Sequence, residues 1–539
     1  MDRKEFLKLV SLAGVGAPFW LNGMPSRFMN HFLDMQLTCD SVNDRAIVIL
    51  RLAGANDGLN TVIPISQYDT YANLRPNIKI ANSGTEGYIP LDNTVADAKK
   101  VGLHPAMSGF KSLYDSGKLV LMNGVGYPNP NYSHFRSENL MFSGKDGTTN
   151  LDLPDGIFGR YLAALFPGLA GNPTTLNPDP LAIQLGNLNP SLFYEHATER
   201  SIEYNMTGFQ NTLFSALKQA VEPSEYSDLL AYISGVASSM DSYYNRVLQV
   251  FNAGNNSTTT YPTSTLGKQL KTVARMIKGG SKTKIFQVNI GGFDTHVNQI
   301  QSGSTNLGNH ANLLADISNS IAAFQSDLEL LGLDNRILTV TFSEFGRQVR
   351  ENGSLGTDHG DLAPFFIVGK HVSPGILGDH PVFTNSTSYY YNQNQRRYDY
   401  RQIFGSLLQD WLGADSGLIS STELQDFVTP ATKVNIVTSA QQADVVCSAL
   451  GSDEVVTESN VKIYPSPAKI QFTLDFSAVK YKNLTLQIID ESGKNVLTKQ
   501  QNNYVPKLDV STENLIDGLY FVLVNTDRIQ FSKKLIVKH

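Results

Sequence analysis

The sequence predicts an α/β protein, a largely parallel sheet covered by helices, followed by a small C-terminal β-sandwich. Three observations carry this. From about 45 to 415, short apolar runs alternate with stretches of helical period, the pattern of strands and crossover helices. Acidic and histidine residues recur just after the apolar runs, at the strand ends where open α/β sheets gather ligands. Beyond Val461 the apolar period shortens to two and turn residues separate the runs, as hairpins require.

Strands are expected at 46–53, 118–124, 284–290, 336–342 and 364–369, each bounded by Gly, Pro, Asn or a polar turn. A helix is expected over 106–116, where Met107, Phe110, Leu113 and Tyr114 fall near a 3.6-residue spacing. A longer one is expected over 310–332, with Leu313, Leu314, Ile317, Ile321, Phe324, Leu328 and Leu331 on one face. Residues 172–265 form an expected helical insertion, with Leu213, Leu217, Leu229, Ile233, Tyr243, Val247 and Val250 as core candidates. The polar tract at 252–265 reads as a loop. A linker is expected over 416–455 and the β-rich domain over 456–539, giving 41–415 to the α/β domain.

A chain of 539 residues needs more than one domain, and 41% hydrophobic with 17% charged residues suits a globular core. The net charge of -6 argues against nucleic acid as a partner. Two cysteines, Cys39 and Cys447, cannot build a disulfide framework. Residues 1–40 read as an export signal and leader: Arg3, Lys4 and Lys8 precede a short apolar run broken by Gly and Pro. The order Arg3-Lys4-Glu5-Phe6-Leu7-Lys8 resembles a twin-arginine signal with Lys4 in the second place; an amphipathic first helix is the alternative. No stretch has 18 uninterrupted apolar residues, so no transmembrane span is expected.

The strand-end residues suggest a metal centre. Asp57 follows AIVILRLAGAN, Asp294 and His296 follow KIFQVNIGG, Glu344 follows RILTVTFS, and Asp358 with His359 lies in GSLGTDHGD. The i, i+2 spacing of Asp294 and His296 puts both on one face of an extended segment. Asp358 and His359 are neighbours, and Gly356 and Gly360 allow a turn that converges them. Mixed carboxylate and imidazole ligands suit Zn, Mn or Fe, as one ion or two. Each residue has a plainer reading: Asp57 as a turn residue before Gly58, His296 as a loop histidine, Glu344 as an ion-pair partner of Arg347. Ser133 begins a helix after the 118–124 strand and is either a nucleophile or simply the N-cap. His134 and Arg136 are candidates for binding substrate, and Arg347 for the catalytic contact with phosphate or sulfate oxygens.

Six ordered motifs, RLAGANDGLNTVIP, LHPAM, NYSHFRS, GGFDTH, SEFGR and GTDHG, resemble the bacterial domain-of-unknown-function 1501 family over about 45–415. That family is similar to the alkaline phosphatase and sulfatase superfamily. The resemblance implies a doubly wound core with metals at Asp57, Asp294, His296, Asp358 and His359, and a nucleophile sought at Ser133. Many relatives continue the Asp-His-Gly motif into a His-rich stretch, whereas this chain reads GDLAPFFIVGK. The third histidine is therefore not obvious, and His310, His371 and His380 are substitutes without a motif.

The last 80 or so residues resemble a type A sorting domain of the type IX secretion system. Its landmarks are Tyr464-Pro465-Ser466-Pro467-Ala468, the Asp490–Lys494 turn, LIDGLYFV and the closing KKLIVKH. This implies the secretion machinery as partner, with transit through the periplasm to the cell surface. Together the readings give an exported metal-dependent hydrolase of phosphate or sulfate esters, acting on a small molecule or glycan. The alternative is a non-catalytic surface binding or structural protein on the same fold.

Overall fold

The computed structural model describes residues 18–21, 24–28, 44–149, 155–166, 178–186, 243, 245–384, 389–391, 395–439, 442, 461–477, 481, 483–490, 495–526 and 530–539. They form two compact units, one running to residue 448 and one made mainly of 449–539. Most of the leader, the core candidates Leu213 to Ile233, both cysteines and the Gly493-Lys494 turn lie outside the described residues.

The first unit is built on a mixed, largely parallel sheet. Its strands lie in the order Ala182–Leu185, Ile285–Gly291, Ala46–Ala53, Ile337–Phe342, Ala363–Val368, Leu119–Gly126 and Gly375–Leu377. The first four are mutually parallel, and Ala363–Val368 runs against both of its neighbours. Pro18–Leu21 and Met24–Phe28 pair antiparallel and join at the Ala182–Leu185 edge. The five expected strands all form, within two residues at either end; Ala182–Leu185 arises inside the stretch expected to be a helical insertion.

Continuous burial explains why these strands occupy the middle. Every residue of Ile337–Phe342 and Ala363–Val368 is buried, as expected of strands covered on both faces. Register then aligns the strand ends. Ala53 stands beside Gly291, and Phe342 beside Arg51, so three chain segments leave the sheet side by side. The loops that carry Gly54, Asp294 and Glu344 begin there.

Helices Ser108–Asp115 and Asn309–Leu330 correspond to the two expected from spacing. Asn309–Leu330 packs on Ser108–Asp115 and on Thr265–Lys278, burying Leu314, Ile317, Ile321, Phe324 and Leu328, while Leu313 and Leu331, expected on the same face, are only half-buried. Phe110 reaches Phe366 of the sheet with ring centroids 4.8 Å apart. Tyr243, Val247 and Val250 are buried as expected. The first part of the expected linker is structured: Ser416–Ser421 is helical, capped by Asp415, and Val437 bridges Val372 within the same unit.

The second unit holds two antiparallel sheets, Lys462–Tyr464/Gln471–Asp475/Lys507–Ser511 and Asn495–Gln501/Leu484–Asp490/Gly518–Thr526/Gln530–Val537. Alternate residues, among them Phe472, Leu474, Leu486, Ile488, Val510, Val522 and Val524, enter one buried cluster.

Gly54 marks how closely two strand exits approach. Its φ is +112°, and a Cβ there would lie 2.4 Å from the Asp294 amide nitrogen. Gly54→Ala is expected to cost about 1–3 kcal/mol in urea unfolding, because neither the backbone angle nor the space accepts a side chain.

Candidate metal centre

Asp294 lies just past the Ile285–Gly291 strand, and its Oδ1 is the meeting point of four side chains. Arg347 Nη2 donates to it at 2.6 Å, and His296 Nδ1 lies 2.8 Å away. His359 Nε2 approaches to 3.3 Å and His134 Nε2 to 3.4 Å. The His134 and His359 rings are 4.4 Å apart, and those of His296 and His359 4.6 Å. Among the described residues, His134, Asp294 and His359 are the group whose ligand atoms all fall within 4.8 Å of one another.

The far nitrogens of the two converging histidines are anchored. His134 Nδ1 lies 2.8 Å from Glu344 Oε1, and His359 Nδ1 lies 2.7 Å from the Tyr132 carbonyl oxygen. Both acceptors call for a proton on Nδ1, which leaves the Nε2 lone pairs aimed at Asp294. Metal-binding imidazoles are held in this way, by a carboxylate or carbonyl behind the ring. Phe345 stacks on the His134 ring at 4.9 Å and helps fix its plane.

This arrangement fits a divalent cation. His134 Nε2 is buried and has no hydrogen-bond partner; a lone pair so placed beside a carboxylate oxygen is satisfied by a cation. Bonds of about 2.0–2.2 Å place tetrahedral ligands about 3.3–3.6 Å apart, and the two histidine nitrogens stand at 3.3 and 3.4 Å from the carboxylate oxygen. Half of the Asp294 side chain remains exposed, so the cluster opens to solvent.

The surroundings shift the titration of three groups in the cluster. Burial works to raise the Asp294 pKa, but Arg347, with His296 and His359, overcomes this and brings it down to about 2. The bond to Glu344 raises the His134 pKa against the opposing effect of burial. Burial lowers that of His359.

The other expected site residues fall elsewhere. Asp57 is fully buried and is not part of the cluster. Arg75 Nη1 donates to both of its oxygens at 2.8 and 2.6 Å, and Gln299 Nε2 donates to Oδ2 at 2.6 Å. A carboxylate so neutralised is a structural ion pair rather than a ligand. Asp358 and His359 diverge: Gln348 N donates to Asp358 O and Gly360 N to Gly346 O, which holds the segment extended, so neighbours point apart. Asp358 Oδ1 instead accepts from Asn352 Nδ2, which also donates to the His296 carbonyl. Glu344 is a partner of His134 at 1% exposure and stands behind the cluster.

Arg347 is 2% exposed, and its guanidinium nitrogens all donate within the protein. Nε donates to Ala55 O, Nη1 to Thr357 O, and Nη2 to Gly54 O, Phe293 O and Asp294. Arg136 donates to Thr149 O. His310, His371 and His380 bond Asn56, Asn335 and the Pro381 carbonyl and do not supply the missing histidine. His134, expected to touch substrate, is instead the second histidine whose Nε2 faces Asp294 Oδ1. Ser133 is exposed at the N-cap of His134–Ser143, yet its side chain makes no capping bond.

Residues 237–410 match a family described as protein of unknown function, DUF1501. Residues 462–538 match the secretion system C-terminal sorting domain. The chain thus holds a segment similar to DUF1501 and a tail similar to a secretion sorting domain. The tail indicates export to the cell surface and contact with the secretion machinery. The DUF1501 match is shorter than the resemblance read from motifs; it holds Asp294, His296, Glu344, Arg347 and His359 and stops short of Asp57 and His134.

No curated protein matches the sequence. Similar solved structures include one described under the metabolism of multiple glycosaminoglycans by Bacteroides thetaiotaomicron, 9% identical, covering 85% of this chain and 90% of that one, with a TM-score of 0.32. A protein in the alkaline phosphatase superfamily from Vibrio parahaemolyticus is 10% identical, covering 94% and 91%, with a TM-score of 0.27. A sulfatase from Pseudoalteromonas sp. is 9% identical, covering 88% and 84%, with a TM-score of 0.30. No helix among the described residues is long and apolar enough to cross a membrane.

Two outcomes follow from the charges. Arg75→Met leaves Asp57 charged and unpaired in the interior, so urea unfolding should show a loss of about 3–5 kcal/mol. Because Asp57 is held below its ordinary pKa, its contribution is present at neutral pH and is lost as pH falls through the folded value. His134 behaves oppositely: its raised pKa lets protons compete with a cation. Zinc affinity measured by calorimetry should therefore rise with pH through and above the ordinary histidine value of about 6.5.

Proposed function

We propose that this protein is an exported hydrolase of phosphate or sulfate esters that works through one divalent cation, Zn, Mn or Fe. The observation that carries the reading is the aim of His134 Nε2 and His359 Nε2 at one Asp294 oxygen, each ring anchored from behind. His134, Asp294 and His359 would hold the ion, with His296 beside them. A single ion is favoured because Arg75 already neutralises Asp57, leaving no second acidic pocket there. A doubly wound, alkaline phosphatase-like core and a sandwich-type sorting tail complete the reading, with residues 1–40 as its export leader.

The bound cation would supply Lewis acidity to an ester oxygen and stabilise an attacking oxygen. The chain's own residues set that stage. Glu344 holds the His134 tautomer, and Arg347 fixes the Asp294 carboxylate in its charged form. Ser133 is the proposed nucleophile: its hydroxyl is exposed, makes no capping bond, and precedes the ligand His134 directly. His296, partly exposed at the rim, is placed to meet a substrate oxygen. A phosphorylated or sulfated small molecule or glycan is the proposed substrate class.

One observation favours the non-catalytic alternative. Arg347 donates to the same Asp294 oxygen that a cation would use, so the guanidinium already supplies part of the positive charge. Metal analysis and turnover separate the two readings. The enzyme reading expects about one zinc, manganese or iron per chain, lost in Asp294→Ala/His359→Ala, with hydrolysis of an aryl phosphate or aryl sulfate. Ser133→Ala should abolish turnover by at least about 100-fold while keeping the metal. A folded protein that binds none of these ions and hydrolyses neither ester is the binding protein instead.

A further inference from the structure

Gln299 stands behind the centre, fully buried, and joins three parts of the chain through one amide. Its Oε1 accepts from Thr295 Oγ1 at 3.0 Å and from Thr357 Oγ1 at 2.9 Å. Its Nε2 donates to Asp57 Oδ2 at 2.6 Å. Thr295 lies between Asp294 and His296, and Thr357 lies two residues before His359. The two hydroxyls thus belong to the two loops that carry the candidate ligands.

The orientation of this amide is determined. Turned over, it would set Oε1 against the Asp57 carboxylate, with two acceptors 2.6 Å apart in the interior. Asp57 is in turn fixed by Arg75, whose Nε and Nη2 donate to the carbonyls of Val349 and Gln348. A chain of buried bonds therefore runs from the Arg75–Asp57 pair through Gln299 to both ligand loops. Backbone bonds from Thr357 N to Thr295 O and from Gln299 N to Leu355 O already set the distance between the loops. The shared amide oxygen adds a side-chain contact that fixes their relative rotation, and with it the angle at which Asp294 and His359 meet.

We infer that Gln299 is a positioning residue: it couples the Asp294 loop to the His359 loop and ties both to the Asp57–Arg75 ion pair, so that the ligands stay at bonding range. The cation readout of this inference rests on the proposed metal centre. The loop coupling does not.

The test uses the full chain with Gln299→Met, Thr295→Val, Thr357→Val and the double threonine variant. Zinc affinity is read by competition with a chromophoric chelator, and amide hydrogen exchange is followed over 293–299 and 354–359. Gln299→Met is expected to weaken zinc binding by about 10–100-fold, the range for partners that orient ligands, and to speed exchange in both segments. Each threonine variant should weaken binding, and the double variant should be no weaker than about the weaker single one, because both lose the same coupling.

Unchanged affinity in folded Gln299→Met, independent multiplying effects of the two threonines, or faster exchange in one segment alone would overturn the inference. If Gln299→Met does not fold, the threonine variants decide. If the parent protein binds no zinc, affinity is read with manganese or iron; if it binds none of the three, the proposed function fails, and exchange in the two segments still decides the coupling.

Discussion

The guanidinium of Arg347 is the constraint on which the candidate site depends. A buried cation must find acceptors, and this one finds the carbonyls of Gly54, Ala55, Phe293 and Thr357 together with the Asp294 carboxylate. Those acceptors come from the two neighbouring strand exits at 54–55 and 293–294 and from Thr357, in the connection between Ile337–Phe342 and Ala363–Val368. Removing such a cation's partners would strand a charge in the interior at a cost of several kcal/mol. Satisfying them all fixes where Asp294 Oδ1 sits, and the three histidines then assemble around that atom.

Two acidic residues at neighbouring strand exits meet opposite fates. Asp57 is fully buried, and its carboxylate accepts from Arg75 and Gln299. Its charge is spent inside the protein. Asp294 is half open to solvent and keeps company with imidazoles that have lone pairs to offer. Burial and partners, rather than residue type, divide structural carboxylate from candidate ligand.

Much of this was legible in the sequence where the signal is local. The run AIVILRLA forms the strand Ala46–Ala53, and the spacing of Ile317, Ile321, Phe324 and Leu328 marks the buried face of Asn309–Leu330. Asp294, His296 and His359 were legible because chemistry-bearing residues followed apolar runs. The misses depend on tertiary partners. Nothing near Asp57 announces that Arg75, 18 residues later, will take its charge. Asp358 parts from His359 because residues 346–348 pair with 358–360, a contact no local pattern encodes. His134 reads as a substrate contact, and nothing local announces that Glu344, 210 residues away, will hold its ring.

The sorting tail indicates export, and the α/β unit carries the candidate metal centre. The account of the second stands on cation binding by His134, Asp294 and His359. Anomalous diffraction from crystals grown with zinc tests it most directly. A peak within about 2.0–2.2 Å of both histidine Nε2 atoms and an Asp294 oxygen is the predicted result. A clean map at that position with zinc saturating the solution, or a peak at other residues alone, would contradict it.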